Sequence, residues 1–258
     1  MGAEAVARAT DRKEAPVRRP YVAACIALFM ALGFCACAPA PVPPGAAKNG
    51  TAMEVNGTPV HADEFRYCVS QVRATVMDTA SKKGWVVDDT DPVRDSRAGE
   101  LLVDQAAARC VDGVVRRQGA VALTFIDDAS FESLVERWKA DKAARHASSQ
   151  AGEVLYGPVE KTLEQYEFQE MADAASEQET ADATALTDDP GALDALIRAR
   201  PEVAEGLDMA VPEDRAIAAQ ILARRMFEST HERAVDDAEV TMKESWLSGL
   251  TISDLVGS

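Results

Sequence analysis

The chain has 258 residues, enough for one large domain or two small ones that each bury a core, so a fold held only by disulfides is excluded. Against 43 Asp and Glu stand 27 Lys and Arg, a net charge of -16, which excludes nucleic acid as the expected partner because phosphate contacts need clustered cations. Hydrophobic residues make up 47% of the chain but aromatics only 5%, and alanine dominates the apolar count; closely packed helices are expected and an all-β sandwich is not.

At the amino terminus Arg8, Arg12, Lys13, Arg18 and Arg19 precede an uncharged run of 14 residues from Tyr21 to Phe34. That run is short for a bilayer core of about 30 Å and reads as the apolar region of a signal peptide over residues 1–36. Phe34-Cys35-Ala36-Cys37 resembles a bacterial lipobox. The small Ala36 makes Cys37 the expected lipidated residue, since cleavage before Cys35 would place bulky Phe34 where a small side chain is required. Ordinary secretory cleavage after Ala36-Cys37-Ala38, which would leave Pro39 first, and a retained signal-anchor helix are the alternatives. Arg18-Arg19 reads as part of a simple basic region, because only the pair and the apolar run match a twin-arginine signal. Removing residues 1–36 takes away five cations and three anions, leaving 22 against 40 and a charge of -18. The expected location is the extracytoplasmic face of the bacterial cell membrane, reached through a lipid anchor.

Residues 37–52 are expected to form a Pro/Ala-rich tether, with four prolines within seven residues after Cys37 favouring an extended, semi-rigid spacer. Asn49-Gly50-Thr51 and Asn56-Gly57-Thr58 match glycosylation sequons, but beside a bacterial lipoprotein signal they read as turns. The folded part is expected over 53–258. Met53 and Val55 alternate with polar residues before Asn56-Gly57, predicting a short strand and a tight turn into Thr58-Pro59-Val60. Phe65, Cys68, Val69, Val72 and Val76 follow helical spacing over 62–83, and Gly84 supplies the stop. Trp85 to Ala98 reads as an Asp-rich loop. A second helix is predicted from Gly99 to Gln118, ending at Gly119, with Leu102, Ala106, Cys110, Val111 and Val114 facing inward. A third starts after Asp127 or Asp128 with Phe131, Leu134, Val135 and Trp138 as its stripe, and Gly152 to Pro158 interrupts it. Leu163 to Ala175 gives a fourth. The segment 176–189 lacks apolar periodicity and reads as an acidic connector. Asp189-Pro190 and Pro212 open two more helices; the second is predicted to reach about Val235 with Ile217, Ile221 and Leu222 inward, and Ala238 to Met242 reads as a final strand.

The chemistry-bearing motifs are few. His61, His146 and His231 lie in separate segments without metal-ligand spacing, and no metal or cofactor is expected. No G-x-S-x-G elbow or Gly-rich phosphate loop is present. Counted from Asp89, the Asp-rich loop partly matches a calcium-binding EF-hand, with Asp91, Asp95 and Glu100 at ligand positions. Arg94, however, occupies the place of the required glycine and Val93 that of an oxygen ligand, which favours a solvated acidic loop. Cys68 and Cys110 sit on the apolar stripes of consecutive helices, either as a disulfide permitted by an oxidising compartment or as two buried thiols.

Val55-Asn56-Gly57-Thr58-Pro59-Val60 followed by Asp63-Glu64-Phe65, and then Gly152-Glu153-Val154-Leu155-Tyr156-Gly157-Pro158 with Tyr166 downstream, resemble segments of the SurA and PrsA type extracytoplasmic chaperones. With the helix order these cover roughly residues 53–176. The resemblance implies a mainly α, SurA N-terminal-like domain whose strand near residue 54 pairs with a late strand near residue 240. It implies a lipid-anchored, non-catalytic protein that holds unfolded or newly secreted polypeptides, with Phe131, Trp138 and Tyr166 as client contacts or else as core. The charge of -18 would favour basic clients and keep the protein soluble. Residues 177–237 are too few for the parvulin isomerase domain that many relatives carry and lack its histidine pair, so no catalytic residue is carried over. A degenerate peptidyl-prolyl isomerase and an adaptor lipoprotein with one fixed envelope partner are the rival readings, and oligomeric state is not legible.

Overall fold

A computed structural model describes residues 50–256. The expected signal peptide, Cys37 and the tether up to residue 49 lie outside the described residues. Strands β1 (Thr51–Val55) and β2 (Thr58–His61) form a hairpin. Its two-residue turn needs positive φ twice, and Asn56 (50°) and Gly57 (76°) supply it, the residue types that tolerate that conformation. Register pairs Val55 with Thr58 and Met53 with Val60, which turns Met53, Val55 and Val60 into the core. Strand β3 (Val240–Met242) pairs antiparallel with the other side of β1, Met53 opposite Met242 and Val55 opposite Val240. The order is β2-β1-β3, so Pro59 sits on an edge strand, where a missing N–H does least harm.

Helix α1 (Ala62–Lys82) leaves the hairpin directly. It ends in a Schellman motif: Trp85 N donates to Ala80 O, Gly84 N donates to Ser81 O, and Gly84 takes a φ of 65°. Helix α2 (Arg97–Ala122) starts two residues before the predicted point because Ser96 accepts from Gly99 N as its N-cap. It also runs through Gly119 for one more turn. Gly99 itself is required by contact, since a Cβ there would clash with the Val93 carbonyl in a preceding 3-10 turn. Phe65, Cys68, Val69 and Val76 of α1 pack on Leu102, Ala106, Cys110, Val111 and Val114 of α2 in the main core.

Helix α3 (Phe131–Gln150) buries only Leu134 fully and stands largely in solvent. Helix α4 (Leu163–Asp188) opens with a reciprocal capping box between Thr162 and Gln165. The predicted connector at 176–189 is corrected here: through Asp188 it is the second half of α4. Its buried face is Ala183 and Leu186, packed on Ala218, Ala219, Leu222 and Ala223. Small alanine side chains give weak hydrophobic contrast along a sequence, yet they let two helix backbones approach closely. Helix α5 (Pro190–Ala199) and a 3-10 turn at Pro201–Ala204 close the end of this second core, and α6 (Pro212–Asp236) returns along α4. Ile217, predicted inward, is 43% exposed, and Ala218 and Ala219 take the buried positions beside it.

After β3 come two short helices that the periodicity does not announce, α7 (Glu244–Leu247) and α8 (Ile252–Val256). Trp246, Leu247, Leu250, Ile252 and Leu255 are nevertheless among the most buried residues of the main core, with Trp246 edge-on to Phe65 at 5.3 Å. The Asp-rich loop holds this segment through its backbone: the carbonyls of Asp89 and Asp91 accept from Ser253 N and Ile252 N. Among the described residues no helix is long and apolar enough to cross a membrane.

Candidate functional site

The second core occupies only one end of the α4–α6 pair. Toward their other end the two helices flank the C-terminal half of α2, and a cleft lies among the three. Its apolar compartment, about 360 Å3, is lined by Val115, Gly119, Ala120 and Leu123 of α2 and its C-cap, Met171 and Ala174 of α4, and Met226, Phe227 and Ala234 of α6. Gly119 leaves the floor open, since a Cβ there would meet nothing within 4 Å. Flexible methionines give such a surface the means to fit irregular shapes.

A polar compartment of about 710 Å3 adjoins it, the two sharing Arg116, Ala175, Phe227 and His231. At the junction His231 Nε2 lies 2.8 Å from Asp112 Oδ1, tying α6 to α2. Arg109 Nη1 and Arg116 Nε donate to the same carboxylate at 3.1 and 3.0 Å. Partial burial pushes the Asp112 carboxyl up; the hydrogen bond with His231 and the neighbouring arginines outweigh that and hold it below the ordinary carboxylate value. A carboxylate so satisfied serves as a clamp. Glu179, Arg224, Glu228, Glu232 and Asp236 line the outer margin.

Beside the cleft lies a buried ionic cluster that joins α1, α2 and α4. Arg117, 2% exposed, donates to Glu167 Oε1 at 2.9 Å, to the Ala129 carbonyl at 2.8 Å, and to Glu64. Arg109 Nη2 and the Tyr67 hydroxyl donate to Glu167 Oε2 at 3.1 and 2.9 Å. Glycine at 113 makes room for the guanidinium, because a Cβ there would stand 3.3 Å from Arg117 Nη1. Burial raises the Glu64 carboxyl above its ordinary value, with Arg117 opposing the shift. Burial and the Glu167 charge raise the Tyr67 hydroxyl as well. Cys68 and Cys110, Cα atoms 5.7 Å apart, are joined as a disulfide alongside this cluster and fasten α1 to α2.

The three aromatic residues expected as client contacts stand elsewhere, and none lines this cleft. Phe131 packs on Tyr67 with ring centroids 5.3 Å apart. Trp138 Nε1 donates to the Lys161 carbonyl at 2.9 Å. Tyr166 donates to Glu170 Oε1, which Arg137 also grips at 2.7 Å, and burial with that hydrogen bond pushes the Tyr166 hydroxyl up to about 12. All three are half-buried and join α3 to its surroundings. The cleft residues Met171, Met226 and Phe227 went unpredicted. Met226-Phe227, set between Arg224-Arg225 and Glu228, was the available signal.

Of the histidines, His146 pairs with Glu160 at 3.0 Å and His61 lies 3.5 Å from Thr51 Oγ1. Among the described residues no three His, Cys, Asp or Glu side chains converge as metal ligands. Comparison with protein-family models, curated proteins and solved structures finds no match to the chain.

Proposed function

We propose that this is a lipid-anchored extracytoplasmic chaperone-like protein that holds unfolded or newly secreted polypeptides without catalysing a reaction on them. The observation that carries the reading is the open cleft among α2, α4 and α6, where Met226, Phe227 and Leu123 remain only partly covered. An unfolded segment would bury an apolar side chain there, while the charged margin keeps the empty cleft hydrated. The likeness of the hairpin and of the 152–158 segment to the SurA and PrsA type supports the same conclusion from the sequence side. The test is light scattering from a reduced, aggregating model client. The wild-type chain in stoichiometric excess is expected to suppress it, and Phe227→Glu, or Thr230→Arg at a residue of α6 that lines the same compartment, each checked for an unchanged far-ultraviolet spectrum, to suppress it several-fold less. Undiminished aggregation with wild type overturns the proposal.

A second reading, an adaptor for one fixed partner, is favoured by the loop after α3. Val154 and Tyr156 are 80% and 89% exposed. The backbone beneath them is held by Arg145, whose guanidinium donates to the carbonyls of Tyr156 and Pro158 at 2.9 and 2.7 Å. A preorganised exposed aromatic suits a single complementary surface. Photo-crosslinkers at Tyr156 and Phe227 separate the two: one recurrent product from Tyr156 supports the adaptor, and many from Phe227 support holding.

A further inference from the structure

The margin of the polar compartment carries a charge imbalance that local pairing does not cancel. Its two arginines are both engaged: Arg116 Nε lies 3.0 Å from Asp112 Oδ1, and Arg224 Nε lies 3.0 Å from Glu228 Oε1. Glu179, Glu232 and Asp236 line the same compartment and, among the described residues, none of these three has a cation within 4 Å of its carboxylate. The apolar compartment adjoins these carboxylates across Phe227, so one ligand can reach both.

We infer that the cleft selects polypeptide segments in which an apolar side chain is flanked by Lys or Arg, the apolar group entering beside Met226 and Phe227 and the cations meeting Glu179, Glu232 and Asp236. The inference rests on the holding function proposed above and assigns its substrate class. The chemistry is complementary on both counts. Burial of an apolar side chain supplies binding that is indifferent to sequence charge, and three carboxylates at the mouth that form no direct ion pair make the same segment bind better with cations and worse with anions. A negatively charged segment would meet repulsion from the margin without finding a free arginine.

The experiment uses the full chain and three fluorescent peptides that share one apolar centre and differ only in flanking Lys, Ser or Glu. At 50 mM salt the Lys-flanked peptide is expected to bind about tenfold tighter than the Ser-flanked one, with the Glu-flanked peptide weaker than both. At 500 mM salt, where screening shortens the reach of the margin, the three are expected to agree within about twofold. The triple variant Glu179→Gln, Glu232→Gln, Asp236→Asn is expected to erase the preference, bringing the three affinities within about twofold of one another at low salt, whereas Phe227→Ser weakens all three peptides. Equal affinities at low salt, or a preference that survives the triple variant, overturn the charge selection and leave the holding function standing. If no peptide binds and wild type also fails to suppress client aggregation, both fall.

Discussion

Replacing Arg117 with methionine keeps most of the aliphatic stem and removes the guanidinium that Glu64, Glu167 and the Ala129 carbonyl share. The carboxylate side chains are only 4% and 5% exposed, so water does not replace the lost partner. Glu167 keeps Arg109 and Tyr67, whereas Glu64 is left as an isolated buried charge. Removing one member of a buried ion pair costs about 3–5 kcal/mol, a large part of the 5–15 kcal/mol typical of a whole domain. At about 2–4 °C per kcal/mol for a chain of this size, the midpoint should fall by about 6–20 °C. The pH dependence has a definite sign. Burial already raises Glu64, and loss of Arg117 raises it further, so the folded variant takes up a proton at a pH where the unfolded chain does not. The difference between variant and wild type should therefore be largest near pH 8 and shrink as pH falls toward the ordinary carboxylate range near 4.3. Urea denaturation followed by circular dichroism measures it. Adding Glu64→Gln to Arg117→Met should recover part of the loss. A cost under about 1 kcal/mol at pH 7, or one that grows on acidification, would refute this account.

Peptide mapping of the unreduced chain should recover Cys68 and Cys110 on one linked fragment. Opening that loop, with its sequence separation of 42, should cost about 4 kcal/mol on the chain-entropy model, measured as reduced against oxidised denaturation midpoints. His231→Ala should cost about 1–2 kcal/mol by removing the hydrogen bond to Asp112. Because the folded Asp112 carboxyl is held below its ordinary value, its contribution is complete above about pH 4 and lost as pH falls through the lower folded value; an acid titration that shows no steeper loss for wild type than for His231→Ala counts against the clamp. Trp246→Ala should destabilise by about 3–5 kcal/mol, because the ring is 4% exposed in the main core. A cost near zero in thermal unfolding would mean that the C-terminal segment is not part of that core.

Much of the fold was legible because local chemistry is strong where it matters. Asn56-Gly57 dictates a tight hairpin, Asp189-Pro190 and Pro212 mark helix starts, and the 3.6-residue spacing of Phe65, Cys68, Val69 and Val76 defines a buried face. The acidic half of α4 was not legible. Its buried residues are only Ala183 and Leu186, too few to show a period, and they become a core face only against the alanines of α6. The C-terminal helices were missed for a related reason: four- and five-residue elements have no period to detect, and their place is set by contacts distant in the chain, Lys243 N on the Ala52 carbonyl ahead of α7 and the Asp89 and Asp91 carbonyls at the start of α8.

The candidate site shows the same division more sharply. By itself the sequence determined a mainly helical chain with a small sheet and a strong negative charge, since composition, turn residues and side-chain period act over a few residues. Which side chains meet was decided only by the tertiary structure. Glu64, Arg117 and Glu167 are far apart along the chain, as are Asp112 and His231, and Met171 and Phe227; nothing local distinguishes a buried arginine from an exposed one. The expected aromatic contacts became supports for α3, while the apolar cleft formed where three helices separated by long stretches of chain leave a gap. Packing is a long-range property, and the charge read first as a sum over the whole chain acquires a place only when the fold sets part of it along the margin of that cleft.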